Sequence, residues 1–254
     1  MGKLLSFELR KLFKNKSFYI WTFVSVGISL IYLLCSFGMF SIQSASPDLQ
    51  AVVSPESGMI SIIKFFSLSP VTVFMLMFIC SFVCNDFDNG ILKNIISRGY
   101  SRGSIFTAKF IAVMVSTAFM VILNLAAIFA VSTALYNDAG TMYELFIPQI
   151  IFLVLGLMAF AGIFFMLCVI FKKGAPAIVI SLLALLALPI GLSLIATYLH
   201  IDFDFSTLWL GGAVSNLATV GATLQTLIFS AVCIVAYLVV SYIVSVSMVK
   251  KMEV

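Results

Sequence analysis

The sequence predicts an all-α integral membrane protein of six transmembrane helices, with an amphipathic interfacial helix at the N-terminus and a short cytoplasmic helix between spans two and three. Three observations carry that prediction. Hydrophobic residues make up 63% of the chain and charged residues 9%, and mean hydropathy is +1.21. A soluble domain carries roughly a quarter charged residues, so 254 residues of this composition cannot be wetted as one. Six apolar runs each hold the ~20 residues that a helix needs to cross a bilayer. The bases, finally, fall almost entirely on one side of those runs.

Residues 1–16, MGKLLSFELRKLFKNK, form the interfacial helix. At helical spacing Leu5, Leu9, Leu12 and Phe13 share one face, and Lys3, Arg10, Lys11 and Lys14 share the other, with Phe7 out of place. The expected pose lies in the headgroup plane, apolar side down. The apolar run that follows is too long for the h-region of a signal peptide, so the segment is expected to be retained. The spans are 17–40, 65–84, 110–136, 147–171, 177–199 and 224–249, in a single transmembrane domain over 1–254. None of these ranges contains Asp, Glu, Lys, Arg or His. Pro148 and Pro176 sit at span starts, where a missing N–H costs nothing, whereas Pro70 and Pro189 predict kinks within spans.

Charge orients the chain. Thirteen of the fourteen basic residues lie in 1–16, 85–109, 172–173 and 250–251. The other side carries Asp48, Glu56, Asp138, Glu144, Asp202 and Asp204, with Lys64 as its only base. This is a positive-inside pattern, which places both termini and the loop 85–109 in the cytoplasm. The net charge of +4 is therefore a membrane signal, and no nucleic-acid partner is expected. Of the outer segments, 43–61 is rich in Ser and Pro and reads as irregular. Segment 200–223 is amphiphilic and too short to cross twice. It either dips into the outer leaflet as a re-entrant hairpin buried among helices, or anchors at the headgroups through Trp209.

Several chemistries are missing. There is no G-x-x-x-x-G-K-[ST] phosphate loop. The single histidine, His200, has no second ligand near it in sequence, so neither a metal nor a catalytic role is expected. The serines within spans have no accompanying base. All five cysteines, Cys35, Cys80, Cys84, Cys168 and Cys233, lie in apolar runs and read as small membrane-buried side chains. Asn124, Gln149 and Gln225 suit interhelical hydrogen bonds, and Gly156, Ala159 and Gly162 a close-packing face. With no charge in the spans, ion-coupled transport is disfavoured, and energy for any uphill movement must come from outside the chain.

The loop 85–109, NDFDNGILKNIISRGYSRGSIFTAK, is the most informative stretch. Asp86 and Asp88 open it, and it turns at Gly90. Ile91–Arg98 then reads as an amphipathic helix with Ile91, Leu92, Ile95 and Ile96 on one side and Lys93, Asn94 and Ser97 on the other. Gly99 fits a helix stop, and Ser101 or Ser104 a cap for the next helix. An exposed aliphatic face in a cytoplasmic loop calls for a partner, either the lipid surface or a protein. Here the chain resembles the type-2 permease family of ATP-binding-cassette exporters. The resemblance rests on the basic N-terminal helix and on FELRKLFKNKSFY (7–19) leading into span one. It also rests on the acidic residue and glycine (Asp88, Gly90), the short helix, Ser101-Arg102, and Lys109 at the start of span three. It covers the whole chain in topology and about 40 residues in motif. Departures are the Asp in place of the commoner Glu, and Asp86 as an equal candidate for the docking carboxylate.

The resemblance implies a separate ATPase subunit that binds ATP and magnesium, so this chain would hold no cofactor and would not itself be an enzyme. It implies a second permease copy, identical or paralogous, and a bacterial plasma-membrane location. Residues 91–98 become a coupling helix, with Asp86, Asp88, Gly90, Ile91, Leu92, Lys93, Ile95, Ile96, Arg98 and Arg102 at the ATPase-docking site. It also implies the re-entrant form of 200–223. Bacterial exporters of antimicrobial peptides, toxins and drugs are the similar systems, and a cavity between uncharged, phenylalanine-rich spans would suit hydrophobic or amphipathic cargo, lipid included. The alternatives are a non-transporting peptide-sensing or immunity subunit and a lipid-acting membrane enzyme.

Overall fold

The computed structural model describes residues 2–44, 57–67, 70–138, 140, 144–198, 205–219 and 223–251. All regular structure among them is helical: α1 (Gly2–Lys14), α2 (Lys16–Ser44), α3 (Gly58–Ser67), α4 (Val71–Asp88), α5 (Ile91–Ile96), α6 (Arg102–Tyr136), α7 (Phe146–Phe171), α8 (Gly174–Tyr198), a 3-10 turn (Phe205–Leu208), α9 (Leu210–Leu217) and α10 (Leu224–Lys251). Six of these, α2, α4, α6, α7, α8 and α10, are long and apolar enough to cross a membrane. The chain is a multi-pass membrane protein by that measure. An even number of crossings returns the end of α10 to the end of the bundle that carries α1.

Helix ends follow local chemistry. Asn15 breaks α1 from α2, and its carboxamide oxygen accepts from the Ser17 amide at 3.0 Å, capping α2. Ser101 sits extended before α6 and accepts from the Ser104 amide at 3.4 Å. Asn137 closes α6 in the left-handed region (φ 50°), a conformation that asparagine tolerates better than most residues. Lys172 closes α7 in the same region (φ 57°), its amide donating to the Cys168 carbonyl at 2.9 Å.

The second predicted span differs from the observed one. Pro70 does not kink a helix that began at residue 65. It stands at the start of α4, where proline's fixed φ is already helical (−64°), and α3 is a separate helix before it. Residues 58–61, expected to be irregular, belong to α3. The rest of the 43–61 segment lies outside the described residues beyond Ser44, apart from Ser57. Pro189 does lie inside α8, which continues through it.

α7 is the centre of the bundle, contacting α4, α6, α8, α9 and α10, while α2 and α3 pack on α6. Gly156 permits the closest approach. A Cβ built there would lie 2.6 Å from Val214 Cγ2 on α9 and 3.4 Å from Ile234 Cδ1 on α10. Small residues let helices close in this way in a medium that offers no hydrophobic drive between spans. Polar seams are neutral: Asn124 donates to Ser25 Oγ at 3.0 Å and receives Ser29 Oγ at 2.9 Å, whereas Gln225 is exposed. Cys80 Sγ and Cys168 Sγ lie 3.3 Å apart as free, buried thiols. α2, α8 and α10 instead turn large aliphatic side chains outward, among them Ile31, Leu186 and Val235.

The segment before α10 packs inward. Trp209 meets Phe160 on α7 (ring centroids 6.4 Å) and Tyr237 on α10 (5.9 Å), and Tyr237 donates to the Leu208 carbonyl at 3.1 Å. Phe160 is fourteen residues into α7, roughly 21 Å along a helix rising ~1.5 Å per residue. From there α9 climbs back toward the start of α7. The Gln149 amide donates to the carbonyls of Leu217 and, at 2.9 Å, Thr219. His200, Asp202 and Asp204 lie outside the described residues.

Candidate functional site

The loop joining α4 to α6 sits at the end of the bundle that carries α1. α4 runs past the predicted span to Asp88, and α6 begins at Arg102, so Asp86 and Lys109 are helix residues rather than loop residues. At 35 residues, α6 is roughly 52 Å long, well beyond the ~30 Å of a hydrocarbon core.

Four charges meet beneath the loop. Lys109 on α6 donates to Asp86 on α4 and, at 3.2 Å, to Glu8 Oε2 on α1; Lys11 on α1 donates to the other oxygen of Asp86. Glu8, Asp86 and Lys109 are buried to within 1% of complete, and Lys11 keeps its side chain 23% exposed. Two carboxylates and two ammonium groups leave the cluster neutral. The Phe82 ring lies under both lysines, with its centroid 5.0 Å from Lys109 Nζ and 5.2 Å from Lys11 Nζ. A buried charge is tolerable when it is paired in this way. The cluster pins α1, α4 and α6 together at one level.

This arrangement corrects the expected face of the N-terminal helix. The buried line is Leu4, Glu8 and Leu12, turned toward α6, while Phe13 is exposed and Leu5 and Leu9 are half-buried. Glu8 takes an inward position because Lys109 waits there.

The loop itself is short and clamped. Gly90 (φ +64°) and Gly99 (φ +84°) bracket α5, both in the left-handed region that glycine enters without steric cost. The Gly90 amide donates to the Phe87 carbonyl at 3.2 Å, and the Gly99 amide to the Ile96 carbonyl at 2.9 Å. Asn89 caps α4 and reaches back to the Asn85 carbonyl at 2.9 Å. The helix covers six residues, Ile91–Ile96, and not eight, because residues 97–99 turn toward α6.

The predicted site residues divide into two groups. Asp86 faces inward and offers no surface. Leu92 is buried, and Ile95 and Ile96 are half-buried against the chain's own core, so most of the expected exposed aliphatic face is covered from within. Asp88 and Arg98 are exposed, and Gly90, Ile91 and Arg102 partly so. Lys93 is in α5, with its side chain outside the described residues. Sequence reading passed over Tyr100, a large exposed side chain between the two helices, and Glu8. Tyr100 was legible as an aromatic in a polar loop; the role of Glu8 depends on a partner 101 residues away. Among the described residues no group of His, Cys, Asp or Glu could hold a metal ion.

Residues 23–254 match the model of a family described as "Protein of unknown function (DUF2705)". No curated protein matches the chain.

Proposed function

We propose that this chain, which belongs to the family of proteins of unknown function DUF2705, is the permease subunit of an ATP-driven exporter. In this reading ATP hydrolysis takes place on a separate ATP-binding-cassette subunit, and two permease copies enclose a path for hydrophobic or amphipathic cargo across a bacterial plasma membrane. The termini and the α4–α6 loop face the cytoplasm in this reading, which the one-sided distribution of bases supports. The segment through Trp209 and α9 is the re-entrant element, a reading supported by its contacts some 21 Å along α7.

One observation carries the proposal. A six-residue helix, too short to persist alone, is held between two glycine hinges at the joined ends of α4 and α6, and those helices are locked to α1 by the buried charges. A push on α5 therefore moves three helices as one body. The docking surface is the outward one: Asp88, Arg98 and Tyr100, with Ile91 at its edge. Asp86 belongs to the lock, and Leu92, Ile95 and Ile96 seat the loop on the bundle.

The test is affinity purification of the full chain from its own membranes, with mass spectrometry of bound proteins. An ATPase carrying a phosphate loop is expected with the wild type. The double variant Arg98→Glu/Tyr100→Ala is expected to lose at least about tenfold of it, since interface anchors of these types are worth ~1.4 kcal/mol or more. Its melting temperature should stay unchanged. Equal ATPase recovery with both proteins would overturn the docking surface, and no ATPase with either would overturn the permease reading.

A further inference from the structure

The N-terminal helix carries a second surface, turned away from the bundle. Its pattern alone would put the leucine side on the membrane, but Leu4, Glu8 and Leu12 turn toward α6 and the buried charges. That leaves an outward arc, about 120° wide at helical spacing, made of Lys3, Ser6, Phe7, Arg10, Phe13 and Lys14, all exposed. The acids nearest this helix are already taken, Glu8 by Lys109 and Asp86 by Lys109 and Lys11. Among the described residues, Lys3, Arg10 and Lys14 meet no carboxylate.

Depth along α6 shows what this arc faces. Glu8 accepts from Lys109, twenty-seven residues before the end of α6 at Tyr136, so roughly 40 Å from that end. Phe13 packs on Phe119 with ring centroids 6.4 Å apart, seventeen residues and roughly 26 Å from the same end. With Tyr136 at the far edge of a ~30 Å hydrocarbon core, Phe13 lies at the near edge and Glu8 about 10 Å beyond it. α1 therefore descends the flank of α6 through the headgroup layer, and its outward arc looks sideways into lipid. Arg10 falls within that layer. Lys14 is at its inner margin, where a long side chain returns its ammonium to the headgroups. Tyr19, exposed just inside α2, donates its hydroxyl to the Phe13 carbonyl at 3.0 Å, an aromatic where interfacial anchors stand. Zwitterionic headgroups offer a stripe of bases no net counter-charge, whereas anionic ones do.

We propose that the outward face of α1 docks on anionic phospholipid headgroups, through Arg10 and Lys14 chiefly and Lys3 at the outer rim. The proposal requires only that the six helices cross a bilayer, and it stands apart from the permease reading. Phosphatidylglycerol is the probe. Hydrogen exchange of the full chain is measured in nanodiscs of phosphatidylglycerol with phosphatidylcholine and in nanodiscs of phosphatidylcholine alone. The amides of α1 are expected to exchange roughly thirtyfold more slowly in the anionic discs, about fivefold for each of Arg10 and Lys14. Arg10→Gln/Lys14→Gln should abolish that difference while the amides of α7 exchange as in wild type. Lys172→Gln/Lys173→Gln, whose bases are at the same end but not on α1, should leave it intact. Raising the salt to ~1 M should shrink it, since these charges are exposed. Equal α1 exchange of the wild type in the two lipids would overturn the proposal, as would a difference that survives in Arg10→Gln/Lys14→Gln. Slowing that appears only with a second protein bound would assign this face to that protein and overturn it as well.

Discussion

The two ends of the bundle are fixed by opposite means. At the end bearing the termini, α1, α4 and α6 are joined by four charges, three of them fully buried. At the other end α9 is held by a neutral carboxamide on two carbonyls and by a glycine-lined contact. Such a charge cluster is demanding. Intact, it returns little net energy, because desolvation consumes most of the attraction, yet losing one member leaves another charge buried without its counterpart. The neutral end has no such threshold. Each of its contacts is worth about what it measures, and each fails alone.

The largest effect should come from Lys109→Met, which leaves Glu8 buried without the ammonium that meets it. It is expected to cost about 3–5 kcal/mol, read as a lower melting temperature and more aggregate in detergent. Replacing the buried charges together, Glu8→Leu with Asp86→Leu and Lys109→Met, should recover most of that loss. If the triple variant were no better than the single one, the demand for pairing would not be the cause.

An intermediate effect is expected at the neutral end. Gly156→Ala drives a methyl to 2.6 Å from Val214 Cγ2 and should cost about 1–3 kcal/mol as overpacking. Val214→Ala in the same chain should relieve it. Additive losses in the double variant would mean that α9 does not press on α7 as described.

The smallest effect belongs to Gln149→Leu, which leaves the Leu217 and Thr219 carbonyls without that donor, at about 1–2 kcal/mol. Hydrogen exchange confined to residues 217–219 and the neighbouring turn would follow it. Global destabilisation as large as that of Lys109→Met would erase the distinction between the ends.

Much of this architecture was legible in the sequence because membrane insertion writes itself locally. Twenty apolar residues are a span wherever they occur, and the observed helices α7 and α10 begin within one residue of their predicted starts. Gly90, Gly99 and Ser101 were readable for the same reason, since a left-handed turn or a cap is satisfied by neighbours. The charge cluster was not. Asp86 and Lys109 looked like loop residues because a span was taken to end where charge begins, and pairing moves that limit. Their partners on α1 are 75 and 101 positions away in sequence, a distance at which no periodicity speaks. α5 failed in a related way: its aliphatic stripe was visible, but what covers it is the chain's own core.

The placement of the four charges also sets an order of events during synthesis. Glu8, Lys11, Asp86 and Lys109 have all left the ribosome once α6 has begun to emerge, so the charged end is complete in composition before α7 exists. The opposite end cannot close until the last helix arrives, because α7 shares its most extensive interface with α10. Until then Gly156 and Gly162 lack the Ile234 and Ser241 side chains of α10 against which they later fit. A chain stopped just short of residue 224 would carry a finished ionic clasp on an open bundle. Assembly should therefore run from the charged end to the neutral one, with the final span acting as the bolt.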